Sequence, residues 1–394
     1  MSVLYNISIH FFVFAIHIAS LFNAKAKLWV NGRKNIFQKI EEVTKGEQNI
    51  VWFHCASLGE FEQGKPIIEA YKEKYPTHKI LLTFFSPSGF EIRKNYKDAD
   101  WIFYLPADTN ANAKQFVKLI KPLKVFFIKY EFLFNYITEC KKQNIPFYSV
   151  SSIFRKEQFF FKYKWFAKQL QNITHFFVQD KTSADLLKSI GLTNYTISGD
   201  SRFDSVISTT KKPQSYPLIE KFCKTKPTII CGSTWVKDEA ILSQFIKENP
   251  QYNYIIAPHE MHHISSLQKQ TKGQLFSELN SGNINSNNVL IINSIGILSH
   301  IYQYGDIAYI GGGFGAGIHN ILEAVTFGLP VIFGPKYKKF KEANELIDLK
   351  GAISISNYKE LENAFDSFTN FDQTIATSYI TSRSGATETI LESL

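Results

Sequence analysis

Ile50-Val51-Trp52-Phe53-His54-Cys55-Ala56-Ser57-Leu58-Gly59-Glu60 is an apolar run that stops at a cluster of small residues and passes into helix-forming sequence. A short continuous apolar run bounded by small residues reads as a strand buried on both faces, as in a parallel sheet. Ala56, Ser57 and Gly59 allow a tight strand-to-helix turn, which puts Glu60 at or near a helix N-terminus. Similar runs follow at Ile80 to Phe85, Trp101 to Leu105, Lys124 to Ile128, Phe147 to Val150 and His175 to Val178, with helical stretches in the gaps. This βαβ rhythm predicts an α/β protein built on parallel, doubly wound sheets. A polar segment with two prolines, Ser208 to Pro217, interrupts it. The rhythm restarts at Thr228 to Cys231, Tyr254 to Ala257, Val289 to Ile292, Ile307 to Ile310 and Val331 to Phe333. Two domains are therefore expected, 25–207 and 218–394, joined by a linker at 208–217. In such sheets ligands bind beyond the carboxyl ends of the strands, so the residues just after each run are the candidates for chemistry.

The 394 residues, 44 % of them hydrophobic, have room for two or three domains with real cores, which excludes a disordered chain or a mini-protein scaffold. With 44 basic and 35 acidic residues the formal charge is +9, favouring an anionic partner such as phosphate, nucleic acid or an acidic membrane. Cys55, Cys140, Cys223 and Cys231 stand far apart, so neither a zinc knuckle nor a disulfide framework is suggested, and a reducing compartment is the plain reading.

Val3 to Phe22 carries no Asp, Glu, Lys or Arg and would form a helix of about 30 Å, the thickness of a bilayer core. Residues 1–24 are read as a membrane anchor. On a helical wheel Asn6, His10, His17 and Ser20 share one face, which also suits a helix lying on the membrane. Lys25, Lys27, Arg33 and Lys34 follow the apolar run instead of preceding it, unlike a secretory signal, and the positive-inside bias places the body of the protein in the cytoplasm.

Glu60 at a helix N-terminus suits a general base taking a proton from a hydroxyl, with an ordinary capping glutamate as the bland alternative. Glu131 follows the Lys124 to Ile128 run among aromatics, where a charge needs a partner or a ligand. Ser86-Pro87-Ser88-Gly89 is a turn offering hydroxyls and amides. In Gly311-Gly312-Gly313-Phe314-Gly315-Ala316-Gly317-Ile318-His319-Asn320-Ile321-Leu322-Glu323, a glycine loop follows a strand and opens a helix, a setting for a nucleotide phosphate with Glu323 as a candidate for sugar hydroxyls. A nicotinamide site is disfavoured, because the next strand ends in Gly334-Pro335-Lys336 and not in an acidic residue. His259-Glu260-Met261-His262-His263 matches a zinc-hydrolase pattern, but it follows a strand and Pro258 directly, where a pair of groups addressing a nucleotide fits better. Between Lys121 and Lys168 ten basic and three acidic residues give a local +7. Within that stretch Ile153 to Phe166, with Arg155 and Lys156, interleaves aromatics and cations in a way that suits headgroups and acyl chains, single-stranded nucleic acid, or a core face backed by a solvated one.

Taken in this order the motifs resemble the Kdo (3-deoxy-D-manno-octulosonic acid) transferases of lipopolysaccharide synthesis. The resemblance runs from the apolar segment and Gly32-Arg33 through His54 to Glu60, Ser86 to Gly89, Glu131 to Asn135 and Gly199-Asp200-Ser201-Arg202-Phe203-Asp204. It continues with Gly232-Ser233-Thr234, Pro258-His259, the glycine loop with His319-Asn320 and Glu323, and Gly334-Pro335. It implies a GT-B fold of two Rossmann-like domains facing a cleft, and an inverting glycosyltransferase that moves Kdo from CMP-Kdo to the tetraacyl lipid A precursor. It implies no metal and no cofactor, CMP-Kdo being a substrate, and no nucleic-acid partner. An anionic inner-membrane surface would be the setting, with the protein anchored on its cytoplasmic side, and no obligate protein partner is evident. By the matching motifs Glu60 is the base and Glu131 a second essential carboxylate. Arg202, Ser233, Thr234, His259, Gly313, Gly315, Gly317, His319, Asn320 and Glu323 fall on donor positions, whereas Ser57, Gly59, Ser86, Ser88, Arg155 and Lys156 fall on the acceptor side. The chain departs from the family with Leu133-Phe134 in place of Trp-Pro, His262 in place of an Arg and Trp235 in place of a His. Rival readings are a GT-B enzyme with another sugar nucleotide, a non-catalytic lipid binder at the membrane surface, and a nucleic-acid binder.

Overall fold

A computed structural model describes residues 2–129, 131–211, 213–284 and 286–394, and among them fourteen parallel strands form two sheets. Residues 2–205 with 384–394 make one unit and residues 206–383 the other. The first unit holds β1 (Ile50–Cys55), β2 (Lys79–Phe84), β3 (Trp101–Tyr104), β4 (Lys124–Ile128), β5 (Phe147–Ser152), β6 (His175–Val178) and β7 (Tyr195–Ile197) in the order 3-2-1-4-5-6-7. The second holds β8 (Thr228–Thr234), β9 (Asn253–Pro258), β10 (Gln274–Leu275), β11 (Val289–Ile291), β12 (Ile307–Ile310), β13 (Val331–Phe333) and β14 (Ala352–Ser354) in the order 10-11-9-8-12-13-14. Both sheets are doubly wound and Rossmann-like. Every residue of β1 and β9 is buried, which is why those strands read as unbroken apolar runs.

Strand order reverses between β1 and β4 in the first sheet and between β8 and β12 in the second. The connections leave to opposite faces at those points, opening a crevice at the strands' carboxyl ends. The turn after β1 and the glycine loop both stand there. β7, β10 and β14 are short edge strands, each partly exposed and carrying a polar residue, so they do not read as apolar runs.

The expected linker is partly helical: the helix Arg202–Lys211 runs through its first residues, and another begins at Pro217. Lys212 lies outside the described residues. The chain's last helix, Ala386–Glu392, packs in the first unit, where Ile390 and Leu391 join the core beneath β1 and β2, so the expected 218–394 domain does not hold its own final segment. Asp204 fastens that return, accepting from the Gly385 and Thr387 amides at 2.7 Å each.

The N-terminal helix Ser2–Ala19 is long and apolar enough to cross a membrane. One of its faces lies along the first unit. Tyr5 hydroxyl donates to Asp108, Asn6 accepts from Asn135 at 3.1 Å, and Phe12 packs edge-on against Trp29 with ring centroids 5.8 Å apart. Val3, Leu4, Ile7, Phe11, Phe14 and Ile18 are exposed on the remainder of the helix. The Ile153 to Phe166 segment forms two short helices, Phe159–Lys162 and Lys164–Leu170. Phe154, Phe160, Phe161, Trp165 and Phe166 pack into the first core, while Phe159 and Tyr163 stay exposed beside Arg155 and Lys156.

Candidate active site

In the first unit Ser57 caps the helix Leu58–Lys74, and Glu60 stands in that helix's first turn. The Ser57 hydroxyl donates to the Glu60 carboxylate and accepts from no backbone amide of the helix, so the pair does not form a reciprocal capping box. Lys129, which leaves β4 in a left-handed conformation (φ 67°), brings its ammonium to 4.0 Å from Glu60 Oε1. Gly59 has open space above it, its nearest neighbour being Ser57 Oγ at 3.8 Å from a built Cβ. The result is a partly exposed carboxylate with a hydroxyl and an ammonium beside it at the β1/β4 crevice.

Glu131 follows β4, the other strand of that switch point, with its side chain 22 % exposed. One of its oxygens is 2.8 Å from His54 Nε2, and this buried histidine is the partner that a charge among aromatics requires. The departure Leu133-Phe134 is absorbed by packing: Phe134 is buried against Tyr5, Trp165 and Phe166. Asp108 receives the Asn135 and Tyr136 amides at the start of the helix Phe134–Lys142, at 3.2 and 3.1 Å. Burial pushes the Asp108 carboxyl up to about 7. Ser86 and Ser88 hydroxyls bond each other at 2.8 Å, and Gly89 lets that turn approach the Ser57 backbone, a Cβ there standing 3.0 Å from Ser57 C. Arg202, expected on the donor side, stands in the first unit with its guanidinium on Asp200 at 2.8 and 2.9 Å.

In the second unit β8 delivers Gly232-Ser233-Thr234, with Ser233 in a left-handed conformation (φ 53°). Thr234 hydroxyl donates to Glu239 at 2.9 Å, and His263 Nε2 lies 3.0 Å from the same Glu239 oxygen. The glycine loop is held against β8 by backbone contact. Asp238, buried, accepts from the Gly312 amide at 3.0 Å, the Trp235 amide at 2.9 Å and the Tyr309 hydroxyl at 2.8 Å. Gly315 and Gly317 amides turn back to the Gly312 carbonyl, and the His319 amide to that of Gly311. Among the described residues the amides of Gly313, Phe314, Ala316 and Ile318 have no protein acceptor, and of these four residues Gly313 and Ile318 are buried while Phe314 and Ala316 are not. The helix expected to open at the loop begins only at Leu322 and is four residues long. Gly312 and Gly317 are left-handed (φ 91° and 140°), and a helix cannot propagate through such residues. Asn320 amide nitrogen donates to Glu323 at 3.0 Å.

Trp235, in place of the expected histidine, stacks on His259 with centroids 4.6 Å apart and donates its indole N–H to His319 Nε2 at 2.9 Å. His319 is therefore an acceptor at Nε2. Burial, with the neighbouring His259, lowers its imidazole to about 4, so it meets a ligand as a neutral ring. The zinc-hydrolase pairing does not form, because His259 joins this aromatic stack while His263 turns to Glu239. Glu260, His262 and His263 do converge, with ligand atoms within 4.8 Å. His262 is largely exposed, 3.6 Å from Glu260, and does not occupy a buried cationic position. Lys129, Asp238 and Trp235 were not among the expected site residues. A cation directly after β4 and an acid at the capping position after Trp235 are the signals that mark the first two.

Residues 31–205 match the family model described as 3-deoxy-D-manno-octulosonic-acid transferase. The chain is 28 % identical over 337 residues to a 3-deoxy-D-manno-octulosonic acid transferase of Aquifex aeolicus, covering 83 % of this chain and 88 % of that one. It is 25 % identical over 337 residues to the protein of that name from Haemophilus influenzae, covering 81 % and 79 %. Among solved structures it is similar in fold to UDP-GlcNAc 2-epimerase from Neisseria meningitidis, with a TM-score of 0.60 at 14 % identity over 87 % of this chain and 98 % of that one. The corresponding values for MurG of Acinetobacter baumannii are 0.53, 11 %, 88 % and 98 %. Those two likenesses concern the fold alone.

Proposed function

We propose that the chain is a member of the Kdo transferase family and that it transfers Kdo from CMP-Kdo to the tetraacyl lipid A precursor, inverting the anomeric carbon. The observation that carries the proposal is the placement of Glu60 at the β1/β4 switch point, bonded by the Ser57 hydroxyl and 4.0 Å from Lys129. Glu60 removes the proton of an acceptor sugar hydroxyl. The oxygen forms a bond to the Kdo anomeric carbon as the bond from that carbon to the CMP phosphate oxygen breaks, and CMP departs with the electron pair. Attack opposite the leaving group inverts the configuration. Glu131 orients the reacting sugars by hydrogen bonding.

Donor recognition falls to the second unit. The Phe314 and Ala316 amides suit a phosphate, Ser233 and Thr234 lie at the end of β8, and Asn320 with Glu323 offers hydrogen bonds to hydroxyls. Neutral His319 and its stacked neighbours Trp235 and His259 form an aromatic wall suited to a base or sugar face. In this reading no metal takes part: CMP is a tolerable leaving group once its phosphate is hydrogen-bonded, and the base is a carboxylate.

The setting is the cytoplasmic face of the inner membrane. A helix whose one face is bonded to a folded unit and whose other face exposes Leu4, Ile7, Phe11 and Phe14 suits an interfacial element lying along the bilayer. Arg155, Lys156, Phe159 and Tyr163 add cations and exposed rings of the kind that meet anionic headgroups.

The test is transfer from CMP-Kdo, generated in situ, to the lipid A precursor in the presence of EDTA, read by mass spectrometry of the lipid. Wild type is expected to give Kdo-bearing product. Glu60→Ala is expected to fall by about 10²–10⁴-fold while melting as wild type does. Absence of product from wild type, under conditions where a known Kdo transferase works, would refute the assignment, and activity lost on adding EDTA would refute its metal independence.

A further inference from the structure

Behind Glu131 runs a buried chain of polar groups. His54 of β1 and Thr83 of β2 are opposite each other in register, and Trp52 lies two residues before His54 on the same face of β1. All three are fully buried. Trp52 Nε1 is 2.7 Å from Thr83 Oγ1, Thr83 Oγ1 is 2.8 Å from His54 Nδ1, and His54 Nε2 is 2.8 Å from Glu131 Oε2. An indole N–H only donates and a carboxylate only accepts, so the two ends set the direction of everything between them. Thr83 accepts from Trp52 and gives its own proton to Nδ1, and the histidine, protonated at Nε2, donates to Glu131. The other acceptor for the Thr83 proton, the Phe53 carbonyl, is farther at 3.3 Å. Using it would oblige Nδ1 to carry a proton too, placing an imidazolium in the sheet interior, whereas the first arrangement satisfies every group with a neutral ring. Phe127, 4.6 Å from the imidazole centroid, limits its rotation.

We propose that Thr83 and His54 are positioning residues of the transfer: Thr83 sets the Nε2–H tautomer of His54, and His54 through that single proton aims the Glu131 carboxylate into the β1/β4 crevice. Their side chains do not reach solvent, His54 being 1 % exposed against 22 % for Glu131, so they act on substrate only through that carboxylate.

The inference rests on the transferase reading for its kinetic arm only. In the full-length protein labelled with ¹⁵N-histidine, two-bond ¹H–¹⁵N spectra report the tautomer, and His54→Gln identifies the signals by their loss. Wild type and Thr83→Ser are expected to carry the proton on Nε2 with Nδ1 bare, and Thr83→Val to lose that pattern. In the transfer assay Thr83→Val is expected to lower kcat about tenfold or more with KM for CMP-Kdo within about twofold, and Thr83→Ser to restore kcat. A wild-type His54 that is doubly protonated or protonated at Nδ1 would overturn the proposal, with or without a foldable valine variant. So would a folded Thr83→Val with unchanged kcat. The expected tautomer in a wild-type protein that transfers no Kdo would leave the relay standing and refute the transferase reading instead.

Discussion

Adding one methyl group at Gly311 tests whether the glycine loop is located by backbone packing against β8. A Cβ there would stand 2.2 Å from the Ser233 carbonyl oxygen, 2.6 Å from Thr234 Cα and 2.8 Å from Ser233 C. Ordinary carbon–oxygen approach is about 3.3 Å, so the loop or the end of β8 must give way by about 1 Å. No rotamer change relieves the clash, because the neighbours are main-chain atoms. Overpacking of this kind costs roughly 1–3 kcal/mol, which for a unit of this size lowers the melting temperature by about 2–12 °C. The same displacement separates Ser233 and Thr234 from His319, whose amide bonds the Gly311 carbonyl at 3.1 Å, and a 1 Å misplacement costs on the order of a hundredfold in a preorganised site. Gly315→Ala is the control, since its nearest contact would be the Gly312 oxygen at 3.4 Å. Calorimetric melting of both variants, with titration of CMP into Gly311→Ala, gives the two readouts. Gly311→Ala is expected to melt lower and bind CMP more weakly, and Gly315→Ala to melt within about 1 °C of wild type. A Gly311→Ala protein with wild-type melting and CMP affinity would refute the argument from backbone contact.

Two predictions concern pH. With its folded value lowered to about 4 by burial and by His259, His319 contributes stability that is present above about pH 6.5 and is lost as pH falls through about 4. Wild type should therefore lose more melting temperature than His319→Gln between about pH 7 and about pH 4.5, and parallel curves would contradict this. Asp108 has the opposite sign: its carboxyl is raised by burial to about 7, so the stability linked to it is present below about pH 4 and is lost as pH rises through about 7. Thermal melts at about pH 5 and about pH 8 should show the Asp108→Asn difference moving in the variant's favour at the higher pH, and a difference independent of pH would refute it.

The parallel strands were legible because a strand covered on both faces carries no polar alternation, so β1, β4, β8 and β12 announce themselves as apolar runs. Glu60 and Glu131 were legible for the converse reason, as charges set directly after such runs. Trp52, His54 and Thr83 stand inside the runs, and their hydrogen-bonding partners come from a neighbouring strand. Only pairing register brings His54 opposite Thr83, and register is not written locally. The glycine loop was recognisable by composition, but which amides it spends on itself was not: Asp238, distant in sequence, takes the Gly312 amide. Trp235 was visible as a departure from the family, and its indole bond to His319 required coordinates.

Because residues 384–394 complete the first unit, the chain enters and leaves the second one within a single unbroken stretch, 206–383. The order in which a ribosome releases the polypeptide is therefore not the order in which the units can close. All residues of the second are available before Ile390 and Leu391 emerge to fill their places beneath β1 and β2. The first unit, although most of it is made first, is sealed last, and a chain cut short by the helix Ala386–Glu392 would carry a finished second unit and an unfinished first one.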